Sequence, residues 1–454
     1  NGPSPIMPFR IMDPALHTTR LAAVIILCLV SCGCGLAYKN RLSRDGFIVY
    51  TNDGQGFLEK TGDQIETIYD SLAEVFEIPK PFPWTTRIFL DGQAEGVLDY
   101  SYNPDLLGYY VPFLRMIRID SRAAASNLVS DLDQVLLHEI AHHFLVNELP
   151  GISGKCWLNE GLAGNLEVGV IEKDRAEFPL LNPVLLKIAQ REITENKNRP
   201  LLAELLQSDW KDFHNEETRE MNYALSWAIV YHLLSSEFPA TLSLKERINR
   251  IHLMDKTEIS ALEMGWRKNI LGLDLVAELS RLARLAVPEK KMTSAWAIKE
   301  LCKVRGADVR RSLGTLVKLF GDRCPQVREE AYISFLRLLS SNPQAPFLEP
   351  EQTAKALTRL QAIIADSEAS PLLRARLVAN LERHRTLRND WLPLLVDTLE
   401  DSRPIVRAAA ASALSKMATK PTIVSPAFWT SAPTSKRNEE ISEWKRWLAD
   451  RARR

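Results

Sequence analysis

Apolar positions fall into distinct patterns along the chain. Phe47-Ile48-Val49-Tyr50 and Thr86 to Leu90 are short runs of β-branched and aromatic residues, the second set off by the Pro-rich stretch Pro79 to Pro83, and both predict strands. Gly108-Tyr109-Tyr110 leads into a third, Arg115 to Asp120, with Met116, Ile117 and Ile119 as its apolar content. Between the first two strands, Ile65, Ile68, Leu72, Val75 and Phe76 recur at helical spacing and predict one amphipathic helix over 58–77. A second helix is expected to open at Ser130. Its hydroxyl can accept from the backbone three residues on while Asp133 reaches back, and Pro150-Gly151 stops the helix. From Trp157 to about Leu285 the helical period is almost unbroken.

The last third has a different rhythm. Asp322-Arg323-Cys324-Pro325-Gln326-Val327-Arg328 precedes the stripe Ala331, Phe335, Leu338, and Asp401-Ser402-Arg403-Pro404-Ile405-Val406-Arg407 precedes Ala408 to Leu414 in the same way. Ser370-Pro371-Leu372-Leu373-Arg374 lies between them. Aligning Val327, Leu373 and Val406 gives spacings of 46 and 33 residues, an average near 40. These segments resemble HEAT repeats: a helix, a turn carrying Asp and Pro, then a second helix opening on an aliphatic residue and Arg. Such units bury their apolar faces only against one another, so three of them can form a continuous core and offer a surface to a protein partner. Trp444 and Trp447, with Ile441 and Leu448, are expected to close the last unit.

At the other end, Arg20 precedes an apolar run, Leu21 to Val30, that is too short to span a bilayer as a mature helix. It ends in Leu29-Val30-Ser31-Cys32-Gly33, which resembles a bacterial lipobox. The resemblance implies a signal peptide over 12–32, lipidation of Cys32, membrane attachment through that anchor and a place at the cell envelope. Residues 33–44 are expected to form a polar tether. Of the six cysteines, Cys302 and Cys324 can approach across a helix pair, either as a disulfide or as two buried free thiols.

A chain of 454 residues suggests two or three domains. Lys+Arg and Asp+Glu are each 57, so the formal charge is zero and nothing supports a nucleic-acid partner.

The chemistry lies in His138-Glu139-Ile140-Ala141-His142. Four residues apart on a helix, His138 and His142 share one face and can bind one metal ion, with Glu139 beside them to take a proton from water. His143 lies on another side of that helix. A catalytic zinc site takes three protein ligands and keeps one open position. Glu160 stands eighteen positions after His142, inside Trp157-Leu158-Asn159-Glu160-Gly161-Leu162-Ala163. Together these segments resemble the gluzincin metallopeptidases, in particular the aminopeptidase-N-like group and the peptidase-MA-like domains. The resemblance implies Zn2+ held by His138, His142 and Glu160, with Glu139 as general base and acid. It also implies a tyrosine beyond the glutamate ligand that stabilises the oxyanion. Tyr223, 63 positions on, is the candidate, with Tyr231 and Tyr109 as competitors. The resemblance also implies, for the aminopeptidases of that group, a glutamate in the segment before the zinc helix that holds the free amine. The corresponding Gly108 to Leu114 carries no acid, so endopeptidase activity is expected over aminopeptidase activity, with the Arg115–Asp120 strand offering an edge to an extended peptide. His232, His252 and His384 are expected to be packing or surface residues.

The expected architecture is an α+β zinc metallopeptidase domain over 45–285, a small sheet plus a helical subdomain, followed by an all-α HEAT-like solenoid over 290–454. The expected function is zinc-dependent hydrolysis of a peptide or protein substrate. The rival is a lipid-anchored, non-enzymatic scaffold that binds partners through its repeats around a structural zinc site. That site would need a fourth protein ligand, for which Cys156 is nearest in the chain.

Overall fold

The computed structural model describes residues 38–91, 108–120, 129–172, 175–239, 241–285, 291–305, 308–341, 350–381, 388–418 and 425–453. Within them the chain is mostly helical with a small mixed sheet, and it divides into two compact units between Gly272 and Leu273. The signal segment, Cys32 and His384 lie outside the described residues.

The first unit is built on five strands: β1 (Asn40–Arg44), β2 (Phe47–Thr51), β3 (Thr86–Asp91), β4 (Gly108–Val111) and β5 (Met116–Asp120), in the order β1-β2-β3-β5-β4. β2, β3 and β5 run parallel, and the two edge strands are antiparallel to their neighbours. Parallel neighbours need a crossover, and helix α1 (Gln55–Phe76) supplies it between β2 and β3. Its Ile65, Ile68, Tyr69 and Leu72 are fully buried with Phe47, Val49, Ile88 and Ile117 of the sheet. The alternate residues of the strands reach the other face, where Phe89 and Met116 gather with Leu114, Tyr38, Tyr50 and Val111.

Two expectations about this sheet are corrected. Residues 40–44, placed in the tether, pair with β2 through a tight turn at Asp45-Gly46. Gly46 has φ +83, and a Cβ there would lie 2.6 Å from the Phe82 ring. The edge assigned to Arg115–Asp120 does not exist, because β5 is an inner strand and β4 covers it. β4 is four residues long and stops at Val111, just before Pro112, so its period is too short to stand out.

Helix α2 (Val129–Glu148) packs on α1 and on β4 and β5. The side chain of Ser130, expected to cap it, lies outside the described residues. There follow α3 (Cys156–Leu166), a hairpin of β6 (Val170–Glu172) and β7 (Arg175–Glu177), and α4 (Pro183–Glu195). The hairpin interrupts the region expected to be helical. The Ala176 amide donates to Ser71 Oγ of α1 at 2.7 Å, a contact between segments remote in sequence. α5 (Leu201–Gln207), α6 (Trp210–Phe213), α7 (Arg219–His232), α8 (Leu244–Leu253), α9 (Lys256–Ala261) and α10 (Glu263–Gly272) complete the unit, with α3 and α4 packed against α7.

The second unit is all helical: α11 (Leu275–Ala283), α12 (Lys291–Leu301), α13 (Val309–Leu319), α14 (Pro325–Ser341), α15 (Pro350–Ala365), α16 (Pro371–Leu381), α17 (Arg388–Thr398), α18 (Pro404–Met417), α19 (Pro426–Ser431) and α20 (Thr434–Ala452). It begins earlier than the sequence boundary because α11 packs on α12. α12, α14, α16 and α18 then pack in an unbroken row. Val327, Leu373 and Val406 are all buried near the starts of their helices. The arginine after each tightens the turn before it. Arg328 Nη1 donates to Asp322 O at 2.8 Å, Arg407 Nη1 to Asp401 O at 2.7 Å, and Arg374 Nε to Ile364 O at 2.8 Å. Arg374 also pairs with Asp401, both side chains being almost fully buried. Trp444 is buried and meets Trp447 edge to face at 5.5 Å.

Candidate metal centre

The centre is assembled from α2, α3 and α7. His138 and His142 stand one turn apart on α2, with their Nε2 atoms 3.0 Å from each other. Glu160 of α3 places Oε2 3.3 Å from both. A tetrahedral zinc ion with ligands at about 2.0–2.1 Å spaces them by about 3.3 Å, which is the triangle formed here. Among the described residues these three form the group of side chains able to share one ion.

The outward nitrogens decide what faces inward. His138 Nδ1 lies 2.7 Å from Glu167 Oε2, and His142 Nδ1 lies 3.1 Å from Asn159 Oδ1. Both partners can only accept, so each Nδ1 carries the proton and each Nε2 is turned inward. Burial opposes charge on the rings, but the surrounding carboxylates raise the pKa of both, and a ring that releases its second proton offers an Nε2 lone pair. Two lone pairs and a carboxylate oxygen, facing one another out of water, call for a cation between them. Glu139 Oε2 is buried with no hydrogen bond among the described residues, and Glu160 Oε2 is buried against the two imidazoles. The residues therefore fit a divalent ion of the zinc type.

The charges follow from this geometry. Burial pushes the Glu160 carboxyl up, but the His142 and His138 imidazoles outweigh it and hold it well below the usual carboxylate range. Burial raises Glu139 against the opposing pull of the same two rings. Tyr223, on α7, lies with its ring 6.4 Å from that of His138 and nearly parallel to it. Burial, then the nearby Glu160 and Glu139 carboxylates, keep its phenol protonated far into the alkaline range. Of the competing tyrosines, Tyr231 stacks on Trp227 in the core at 5.1 Å, and Tyr109 sits on β4 with its side chain partly in solvent.

The Asn159-Glu160-Gly161 step divides three jobs among three neighbours. Asn159 orients His142, Glu160 faces the triangle, and Gly161 lets α3 approach α7. A Cβ on Gly161 would lie 2.5 Å from Ser226 O. That close approach sets Glu160 beside Tyr223, which stands three residues before Ser226 on α7. Asn165 holds the same contact by donating to Trp227 O at 3.1 Å. Gly108 plays a similar part for β4, since a Cβ there would meet Val135 at 2.8 Å and Glu139 Cγ at 3.1 Å.

His143 turns away from the triangle. Its Nε2 is 2.8 Å from Thr86 Oγ1 and its Nδ1 is 3.1 Å from the Tyr110 hydroxyl, which ties α2 to β3 and β4. Burial, reinforced by Arg115, lowers its pKa to about 3, so it is a neutral link in the core.

Sequence reasoning missed Glu167, Asn159 and His214. Glu167 is held by Asn182, whose Nδ2 donates to Oε1 at 2.7 Å while its own Oδ1 caps α4. His214 follows α6, with Nε2 3.9 Å from Glu160 Oε1 and its ring 4.5 Å from that of the exposed Trp210. Cys156 opens α3 but does not join the triangle. Cys156, Cys302 and Cys324 are free thiols, which resolves the open disulfide question for Cys302 and Cys324. His232 lies at the end of α7 near Glu237, and His252 near the end of α8.

The chain matches no protein-family model, no curated protein and no solved structure.

Proposed function

We propose that this chain is a zinc-dependent peptidase of the gluzincin type, cleaving within peptide chains rather than at a free amino terminus. The observation that carries the reading is the convergence of His138 Nε2, His142 Nε2 and Glu160 Oε2, with an unbonded Glu139 oxygen beside them. Among the described residues no fourth protein side chain completes the shell, which leaves room for water and favours a catalytic over a structural site.

Zinc held here supplies the Lewis acidity that makes water a nucleophile near neutral pH and polarises a carbonyl. Glu139 takes the attacking water's proton and passes it to the departing amine. Its raised pKa suits both acts better than that of an ordinary glutamate. Tyr223 donates a hydrogen bond from its phenol to the carbonyl oxygen as negative charge develops there. Glu167 and Asn159 hold the two imidazoles in the tautomer the site needs.

β4 offers the substrate a place to lie. Among the described residues it is the edge strand on the side of α2, and Gly108 sits against Glu139, so an extended peptide adding to that strand would pass the general base. The lipobox-like Leu29-Val30-Ser31-Cys32-Gly33 supports attachment to a cell-envelope membrane through Cys32, and the helical row of the second unit supports HEAT-like repeats that receive a protein partner. Digestion of a peptide library by the purified protein, with and without a metal chelator, tests the reading. Chelator-sensitive internal cleavage is expected. Its absence from zinc-loaded protein would favour the scaffold.

A further inference from the structure

In the second unit, α11 and α13 leave a groove of about 600 Å³. Ser280 and Arg281 line it from α11, Arg284 from the cap just after that helix, and Arg311, Thr315 and Lys318 from α13. Ser280 and Arg284 are four residues apart, and Arg311, Thr315 and Lys318 follow at four and seven, so each helix presents its donors on one stripe. Among the described residues that line it, four side chains are cations and none is an acid.

The nearby carboxylates brace two of these cations from outside the groove. Glu278 Oε2 takes Arg281 Nε at 2.9 Å, and Asp274 and Asp308 take Arg311 at 2.6 and 3.2 Å. Half-exposed pairs of this kind add little stability, and their effect is to orient the guanidinium groups. The Arg284 and Lys318 side chains have no partner among the described residues. At the floor, Ser280 Oγ and Thr315 Oγ1 are 2.9 Å apart. One donates to the other, and the accepting hydroxyl keeps a proton for a further acceptor.

We propose that this groove binds a phosphate group. Two cations without a partner among the described residues match a dianion, braced guanidiniums suit tetrahedral oxyanions, and a hydroxyl donor stands beneath them with no competing carboxylate on the described lining. The volume admits an organic substituent, so the phosphate can come from a soluble ester or from the headgroup of an anionic phospholipid.

The test uses the full chain titrated with inorganic phosphate at constant ionic strength by calorimetry, beside co-sedimentation with vesicles of equal parts phosphatidylglycerol and phosphatidylcholine. Saturable phosphate binding is expected, weakened at least about tenfold in Arg284→Ala/Lys318→Ala and retained in Arg284→Lys/Lys318→Arg. Both positions are exposed, and unchanged thermal unfolding of the unliganded variants checks that the fold is intact. Vesicle capture that depends on the same pair assigns the phosphate to lipid. Phosphate binding without such capture assigns it to a soluble ester. Phosphate binding that is absent, or as tight in the alanine pair as in the parent, overturns the proposal.

Discussion

His138 and Glu167 are joined by a 2.7 Å hydrogen bond from Nδ1 to Oε2, although they sit on different elements and 29 residues apart. The bond fixes a proton on Nδ1 and turns Nε2 toward His142 and Glu160, where the proposed metal would sit. Asn182 holds the other Glu167 oxygen and caps α4 with its own carbonyl, so the start of that helix is coupled to the ring orientation of a ligand.

Loss of this support should weaken the metal without abolishing it. Glu167→Ala is expected to lower zinc affinity about 10–100-fold, as for other carboxylates that orient ligating histidines. Competition against a chromophoric chelator measures it, and an affinity equal to that of the parent would remove Glu167 from the site. Zinc should also raise the thermal midpoint of the parent, because an ion that binds only the folded chain stabilises it by mass action.

Glu139→Gln keeps the size of the side chain but cannot accept a proton from water. Peptide turnover is expected to fall by about two to four orders of magnitude. Zinc content, read by atomic absorption, should stay at the parent level. Turnover unchanged in the zinc-loaded variant refutes the base assignment.

Tyr223→Phe removes one hydroxyl. A loss of about 10²–10³ in kcat is expected with KM little changed, since the donor acts only once charge develops on the carbonyl oxygen. The same change at Tyr231 or Tyr109 should leave kcat near the parent value. A kcat loss in either of those instead would move the donor role away from α7.

Gly161→Ala forces a methyl group to within 2.5 Å of Ser226 O, a backbone atom that cannot swing aside. Overpacking of this kind costs about 1–3 kcal/mol, and the forced separation of α3 from α7 should lower zinc affinity with it. Urea unfolding and metal titration of the same preparation test both. Stability and affinity equal to the parent's would mean the helices can part freely.

In the second unit, Arg374→Ala strands Asp401 in the core and is expected to destabilise by about 3–5 kcal/mol. Arg374→Ala/Asp401→Ala should be less destabilised than the single variant, because no charge is left unpaired. Denaturant unfolding of both, analysed as a double-mutant cycle, decides it.

The parts of this protein that were legible in the chain are those whose partners are near neighbours in sequence. His138 and His142 could be placed on one face because four residues make about one turn of any helix. The buried stripe of α1 and the aliphatic-Arg pairs that open α14, α16 and α18 were legible for the same reason, being repeats of one local period. Zero net charge and the Asn159-Glu160-Gly161 segment needed no folding to be noticed, although the segment's meaning came from resemblance rather than geometry.

What depended on folding is the set of contacts between elements far apart in the chain. That β4 rather than β5 is the outer strand of the described sheet, that Asn40–Arg44 joins the sheet, and that α11 belongs with the second unit all turn on which surfaces bury each other. Glu167 meets His138 and Asn159 meets His142 through the packing of α3 on α2, and Tyr223 comes beside Glu160 because Gly161 lets α3 and α7 approach to contact distance. Local spacing sets the direction of a side chain on its own helix. The roll and separation of two helices are set by the shapes that pack between them, and those shapes belong to the folded core.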